Sequence, residues 1–169
     1  MNLRLRPLRR EDETPFRAAH LAMQADHFTF GLGYEPTVEW STYLRQLRAH
    51  QRGVDLPPGL VPATFLVADV DGDIVGRTSI RHELNEFLAR EGGHIGYGVV
   101  AEHRRRGYAT AILRQSLVLA RAVGIESVLM TCDADNVGSS AVIERCGGVF
   151  HSLTESSETR LPMRRYWID

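Results

Sequence analysis

The sequence predicts an α/β (α+β) fold in which a mixed, mostly antiparallel central sheet is flanked by about four helices. Three observations support this prediction. Short apolar runs with period two occur near both ends of the chain. An Asp-Gly-Asp turn at residues 71–73 joins two further apolar runs as in a hairpin. A longer apolar run with helical period follows a strand that ends near residue 100. Strands and helices combined in this order indicate a layered domain.

The first quarter of the chain is expected to form one strand and two helices. Leucines alternate with arginines over residues 3–8, which predicts an opening strand, and the acidic run at 11–13 predicts the start of a helix that extends to about residue 26. Apolar residues at helical spacing over 38–47 predict a second helix that ends near Gly53. Between the helices, Phe28 and Phe30 either shape a pocket or fill the core.

The remaining elements follow from the same patterns. Three prolines and a glycine over residues 55–62 predict a loop, and a polar connection is expected at 82–93. The predicted strands are 64–70, 74–80, 95–100, 127–132, 149–153 and 163–168, and the predicted helices are a long one from about 109 to 120 and a short one at 139–145.

The bulk composition excludes several classes of protein. With 169 residues the chain fits one domain, 1–169. The formal net charge of −1 argues against nucleic acid or an anionic membrane as a partner. No stretch approaches the roughly 18 apolar residues of a membrane span, so we expect a cytoplasmic protein. Cys132 and Cys146 show no metal-ligand spacing, which predicts reduced thiols and no metal site.

A basic, glycine-containing turn precedes the long helix. A helix N-terminus leaves backbone N–H groups without intrahelical partners and carries partial positive charge. Gly107 relaxes the turn before it, Ala109 lets a ligand come close to the backbone, and Thr110 adds a hydroxyl. Three arginines at 104–106 increase the positive potential. The turn is therefore predicted to bind a polyanion such as a pyrophosphate.

The pattern Arg104-x-x-Gly107-x-Ala109 resembles the pyrophosphate loop of the GNAT superfamily of acyl-CoA-dependent N-acyltransferases. The stretch 135–148 resembles the family's Asn-x-x-Ser/Ala helix, which ends in Gly-Phe or Gly-Gly. The similarity covers most of the chain and points to an uncharacterised bacterial branch. It implies the GNAT fold, acetyl-CoA as the co-substrate, and transfer of an acetyl group to an amine by direct attack on the thioester.

The resemblance also implies which residues bind acetyl-CoA. A backbone N–H near Val99 or Val100 would stabilise the oxyanion, and both residues would pair with the pantetheine amides. Asn136 would contact the pantetheine arm. The full set implied for acetyl-CoA comprises Val99, Val100, Arg104, Arg105, Arg106, Gly107, Tyr108, Ala109, Thr110, Asn136 and Ser139.

The catalytic residues are less well defined by the resemblance. Many family members carry a tyrosine general acid at the position of Ile143, and this chain lacks it. Ser139 matches a serine proposed as the acid in some ribosomal-protein acetyltransferases of the superfamily, and Ser140 is its neighbour; one of the two is expected only to cap the helix. Glu83, with Glu86 and His94 as further candidates, is the candidate base, although a solvated surface charge or an ordinary polar residue explains each better. A water-mediated base is a further alternative.

Several alternatives stay open at this point. The glycines at 96 and 98 match a dinucleotide-binding pattern, but no helix follows at the required distance. A GNAT-like domain lacking the usual tyrosine would also suit an acyl-CoA sensor that transfers nothing. The acceptor is expected to be a small-molecule amine or a peptide amine. The C-terminal strand would either pack internally or pair with a second copy in a homodimer.

Overall fold

The computed structural model describes residues 2–169 and confirms the predicted fold class. The strands are β1 (Leu3–Arg6), β2 (Ala63–Val70), β3 (Asp73–Arg81), β4 (Ile95–Val99), β5 (Val128–Asp133), β6 (Val149–Glu155) and β7 (Pro162–Ile168). The α-helices are α1 (Glu13–Gln24), α2 (Trp40–Gln51), α3 (Tyr108–Ala122) and α4 (Val137–Arg145). The connection predicted at 82–93 holds an additional π-helical turn, Leu88–Gly92.

The strands form two antiparallel groups, β1-β2-β3-β4 and β5-β7-β6. The groups meet where His94 N–H donates to the carbonyl oxygen of Leu129 at 2.8 Å and Leu129 N–H donates to His94 Nδ1 at 2.9 Å. Gly93 allows this close approach, since a Cβ at its position would lie 2.6 Å from the Leu129 oxygen. Beyond this junction, β4 pairs with β3 and β5 pairs with β7, so the β4–β5 side remains available to a ligand.

Separate apolar cores cover the two faces of the first group of strands. Phe65 and Val67 of β2 pack with α1, α2 and the aromatic segment between them. Ala68 has the opposite orientation and packs with Ile112 of α3. This alternation follows from the period-two geometry of a strand. The sheet therefore presents one face to α1 and α2 and the other to α3.

The C-terminal strand β7 lies between β5 and β6 and is hydrogen-bonded on both edges. Of the two arrangements considered from the sequence, internal packing is the one observed. Within residues 2–169, no helix has both the length and the apolar character needed to cross a membrane.

Candidate functional site

A cleft runs from the N-terminus of α3 to the end of α1, with β4 and α4 on either side. It consists of two adjoining cavities of about 400 Å³ and about 480 Å³. Five residues line both cavities: Val99, Arg104, Ala109, Gly138 and Val142. The first cavity extends over the predicted pyrophosphate turn, and the second extends toward Phe28 of the aromatic segment.

The turn before α3 presents its backbone N–H groups to the first cavity. Gly107 is the N-cap residue and has the left-handed conformation, with φ 81° and ψ 1°. The hydrogen bond from Ala111 N–H to the Gly107 carbonyl at 3.2 Å begins the helix. The N–H groups of Tyr108, Ala109 and Thr110 precede that bond, so they have no helical carbonyl to bind. This arrangement of free N–H groups at the positive end of a helix is suited to an anion.

The three arginines of the turn have different roles. Arg104 donates from Nε to the Val99 carbonyl at 3.1 Å and from Nη2 to Asp26 at 2.5 Å, which joins the end of β4 to the end of α1. Arg105 lines the first cavity. Arg106 donates to the Glu102 carbonyl at 3.3 Å and is not among the residues lining either cavity.

A further cation, Arg145, comes from the last turn of α4 and lines the cavity beside Gly107. The sequence alone did not assign it to the site. Its position depends on how α4 packs against α3, so no local pattern could have indicated it.

The edge of β4 that faces away from β3 supplies backbone groups to the cleft. Arg81 N–H donates to the His94 carbonyl, and Val100 N–H donates to the Val75 carbonyl at 3.0 Å. Because hydrogen-bonding direction alternates along an antiparallel strand, the N–H groups of Tyr97 and Val99 point the other way. Val99 is therefore the available donor, whereas the N–H of Val100 is already bound within the sheet.

Asn136 and Ser139 of the α4 region lie on the wall of the second cavity. Asn136 Oδ1 accepts a hydrogen bond from Ser139 N–H at 3.0 Å, so the side chain is the N-cap of α4. The Asn136 amide nitrogen is not used in this cap. The cap fixes the orientation of the first turn of α4, which carries Ser139.

The hydroxyl groups of Tyr97 and Ser139 meet across the cleft at 2.9 Å. Burial raises the pKa of Tyr97 to about 12, and the hydrogen bond with Ser139 only partly opposes this effect. The phenol is therefore protonated at neutral pH and can donate a hydrogen bond. Sequence reasoning missed Tyr97; the alternation of β4, in which Ile95 is a core residue, could have placed it on the α3 side.

The sequence matches the acetyltransferase (GNAT) domain family over residues 2–149. The chain belongs to the GNAT family. As a member of that family, the protein is an acetyltransferase. A comparison with functionally characterised proteins finds no significant match.

Solved structures share the GNAT fold at low sequence identity. RimJ from Mycobacterium smegmatis, in complex with a CoA disulfide, is 23% identical with a TM-score of 0.72, covering 98% of this chain and 81% of RimJ. RimL, a ribosomal L7/L12 α-N-protein acetyltransferase in complex with CoA, is 17% identical with a TM-score of 0.71, covering 99% and 93%. Spermidine N-acetyltransferase from Vibrio cholerae, with CoA and spermine, is 17% identical with a TM-score of 0.68, covering 99% and 95%.

Two of the three α4 positions considered for the acid, Ser140 and Ile143, point into the core. Ser140 is 7% exposed, and its Oγ lies 3.4 Å from Cys132 Sγ, so it does not face the cleft. Ile143, at the position of the usual GNAT tyrosine, is fully buried. Burial raises the pKa of the Cys132 thiol. Ser139 is therefore the one of the two serines that the fold brings to the cleft.

The residues expected to supply the base lie elsewhere. Glu83 and Glu86 are exposed in the connection after β3 and line neither cavity of the cleft. His94 joins the start of β4 to β5 through its hydrogen bonds with Leu129, and burial lowers the pKa of His94. Among residues 2–169, the only carboxylate lining these two cavities is that of Asp26, which is paired with Arg104. The same residues contain no cluster of His, Cys, Asp and Glu suited to a metal ion.

Phe28 and Phe30 lie in different environments. Phe28 lines the second cavity, in agreement with the pocket hypothesis. Phe30 is fully buried among the aromatic residues of α1 and α2, in agreement with the core hypothesis.

Proposed function

We propose that this protein transfers the acetyl group of acetyl-CoA to the amine of a small-molecule acceptor by direct attack on the thioester. The observation that carries the proposal is the continuity of the cleft. A glycine turn with free helix amides, a free strand edge and a pair of hydroxyl groups lie along one path. These are the groups that a phosphate, an amide arm and a departing thiolate require, in that order.

Each part of acetyl-CoA has a proposed partner. The pyrophosphate binds to the turn and first helical turn formed by Gly107, Tyr108, Ala109 and Thr110, with Arg105 and Arg145 adding positive charge. The pantetheine amides pair with the edge of β4 at Val99 and with the amide of Asn136. Arg104 contributes by holding the end of β4 against α1, because its hydrogen bonds to Val99, Met23 and Asp26 are all made within the protein.

The chemical step needs a neutral amine, a stabilised oxyanion and a leaving thiolate. The amine nitrogen attacks the thioester carbonyl carbon, the carbon–sulfur bond breaks to release the CoA thiolate, and the nitrogen gives up one proton to water as the amide forms. We assign oxyanion stabilisation to the free N–H of Val99. Tyr97, held by Ser139, donates a hydrogen bond to the departing sulfur. A thiol pKa of about 8.5 makes full protonation of the thiolate unnecessary.

Among residues 2–169 no unpaired carboxylate lines the cleft, so we infer that the amine loses its proton to water before it attacks. A lysine-like amine has a pKa of about 10.4. Below that pH, the neutral fraction of the amine increases about tenfold with each unit increase in pH. The expected kcat/KM therefore rises about tenfold per pH unit between pH 6.5 and 8.5. A profile that levels off within this range would reveal a protein base and contradict the inference.

The role of Tyr97 is tested by Tyr97→Phe, which removes the hydroxyl and keeps the ring. We expect kcat to fall by roughly 10²-fold, the lower end for loss of an acid, with acetyl-CoA affinity nearly unchanged. Ser139→Ala should cause a smaller loss because it removes only the group that orients Tyr97. Ser140→Ala is the matched control, since this serine lies on the same helix but faces the core. Full turnover in both Tyr97→Phe and Ser139→Ala would exclude the hydroxyl pair.

An acyl-CoA sensor is the second candidate function. It is favoured by the isoleucine at the usual tyrosine position and by the lack of an unpaired carboxylate in the cleft within the described part of the chain, residues 2–169. Calorimetry with acetyl-CoA, combined with a thiol-release screen over amines and peptides, separates the two functions. Binding with thiol release supports the transferase, and binding without release supports the sensor. Release on peptides alone would indicate a protein acceptor, the class of substrate named for RimL.

A further inference from the structure

Two arginines of β3 lie side by side next to β4. Arg77 and Arg81 share a face of the strand because they are an even number of residues apart. A methyl group built on Gly96 would lie 3.6 Å from Arg77 Nη1 and 3.5 Å from Arg81 Nη2. Both guanidinium groups therefore flank the same point on the strand that forms one side of the cleft.

Neither arginine has a carboxylate partner within residues 2–169. Arg77 donates to the carbonyl oxygens of Gly96 at 3.1 Å and Thr29 at 2.7 Å, and its guanidinium lies 4.6 Å from the centre of the Phe28 ring. Its Nε is buried without a hydrogen-bond partner. Arg81 donates from Nη1 to the carbonyls of Gly92 and Gly93. Carbonyl groups satisfy N–H donors but do not neutralise the positive charge.

The buried Arg6 shows how this protein compensates an arginine elsewhere. Arg6 is 8% exposed and forms ion pairs with Asp12 at 2.6 Å and Asp69 at 2.7 Å. Arg77 and Arg81 lack such compensation, and burial together with their mutual repulsion lowers the pKa of Arg77 to about 9. Two adjacent, partly desolvated cations are costly unless an anion joins them.

The arginine pair lies next to the second cavity through Phe28, although neither Arg77 nor Arg81 is among the residues lining that cavity. Gly96 directly precedes Tyr97, and at about 3.3 Å per residue it lies roughly 10 Å along the strand from Val99. Phe28, which packs under the Arg77 guanidinium, lines the same cavity as Tyr97 and Ser139. A purely structural role for Arg77, fixing the segment at Phe28 and Thr29 to the sheet, accounts for its own bonds. It does not account for a second cation beside it.

We propose that Arg77 and Arg81 bind an anionic group, a carboxylate or a phosphate, on the small amine that accepts the acetyl group. The inference rests on the proposed acetyl transfer, because it names the acceptor class of the same cleft. An anion at Gly96 pairs with both guanidinium groups, which are suited to the geometry of carboxylate and phosphate oxygens. The acceptor amine then extends from Gly96 along β4 toward Val99, where the thioester carbonyl is proposed to bind. Neutral amines of the same size lack this contact and bind more weakly.

The test uses matched probes with acetyl-CoA at saturation and thiol release as the readout. Amino acids are compared with their carboxamides, and phosphoethanolamine is compared with ethanolamine. The variants are Arg81→Gln, Arg77→Gln and Arg81→Lys, with Arg121→Gln on α3 as a control that also removes an arginine bound to a backbone carbonyl. Because an acid and its amide differ in amine pKa, the decisive quantity is the change in preference between variants.

We expect the unmodified protein to prefer an anionic probe by at least about tenfold in kcat/KM. Arg81→Gln should abolish that preference by raising KM for the anionic probe, while KM for its neutral partner stays within about twofold. Arg81→Lys should retain part of the preference, and Arg121→Gln all of it. Preference for amino acids identifies a carboxylate, and preference for phosphoethanolamine identifies a phosphate. A preference unchanged in both Arg81→Gln and Arg77→Gln would overturn the proposal.

A binding measurement separates this inference from the proposed transfer. The same probes are titrated by calorimetry into the protein saturated with CoA. Tighter binding of an anionic probe that is lost in Arg81→Gln supports the anion site even if no thiol is released, in which case only the transferase proposal fails. Thiol release on neutral amines without any preference in turnover or binding supports the transferase and overturns the anion site. Failure of every anionic probe to bind also overturns it.

Discussion

Substitution of Gly107 gives the sharpest test of the pyrophosphate turn. The residue has φ 81° and ψ 1°, a left-handed conformation that costs an L-residue with a Cβ about 1–2 kcal/mol. Gly107→Glu and Gly107→Gln introduce the same backbone strain and nearly the same side-chain volume. They differ only in one negative charge beside the α3 amides. The glutamine variant therefore isolates the electrostatic effect from the conformational one.

The size of that effect follows from Coulomb's law. A carboxylate about 5 Å from one phosphate charge, at an effective dielectric constant of about 20, is destabilising by about 3 kcal/mol. This corresponds to roughly 10²-fold in Kd. We therefore expect Gly107→Glu to bind acetyl-CoA about a hundredfold more weakly than Gly107→Gln. Both variants carry the same backbone strain of about 1–2 kcal/mol, and glutamate recovers about 0.3–1 kcal/mol of it in the ligand-free protein because a negative charge stabilises a helix N-terminus.

Calorimetric titration with acetyl-CoA at low and high salt measures this difference, and thermal unfolding measures the shared strain. Screening by salt should reduce the difference in acetyl-CoA Kd between the glutamate and glutamine variants. Equal Kd values for the glutamate and glutamine variants at low salt would refute the assignment of the turn. A difference in unfolding free energy larger than about 1 kcal/mol between the two variants would show that the substitutions differ by more than charge.

Two further predictions concern the core. Ile143→Tyr should lower the free energy of unfolding, measured by urea unfolding, by about 1–3 kcal/mol through overpacking. The reason is that Ile143 is fully buried and its Cγ2 lies 2.4 Å from a Cβ built on Gly148. Unchanged stability would mean that the side chain at position 143 faces the cleft. Burial lowers the folded-state pKa of His94, so stability should fall as pH drops below about 6.5, where the unfolded state binds the proton first. His94→Asn keeps an acceptor for Leu129 N–H and should reduce this pH dependence of stability. The remaining dependence comes from His20 and His82, whose pKa values are also lowered. An unchanged dependence of the unfolding free energy on pH would contradict the role of His94.

The strands and helices could be predicted from sequence because each depends on local patterns. The Asp-Gly-Asp turn between β2 and β3 and the apolar period of α3 specify those elements without reference to distant residues. The π-helical turn Leu88–Gly92 was missed, since its segment is polar and irregular in sequence.

Assignment of the catalytic side chains depended on which way each residue points. Ser139 and Ser140 are adjacent on α4, yet one contacts Tyr97 and the other contacts Cys132. A rotation of about 100° per residue along a helix separates neighbours in this way. Glu83 was expected near the acceptor because the connection after β3 should face the cleft, but its side chain is exposed and lines neither cavity.

By itself the sequence determined the GNAT family, the order of the strands and helices, and the turn at Gly107 that suits a pyrophosphate. These features depend on contiguous residues, whose conformations follow from short-range sterics and hydrogen bonding. Only the tertiary structure decided that Val99 rather than Val100 has the free N–H, that Tyr97 meets Ser139 from 42 positions away, and that Arg77 and Arg81 lie together beside Gly96. Strand register and helix packing determine those contacts, and no local pattern in the chain encodes them.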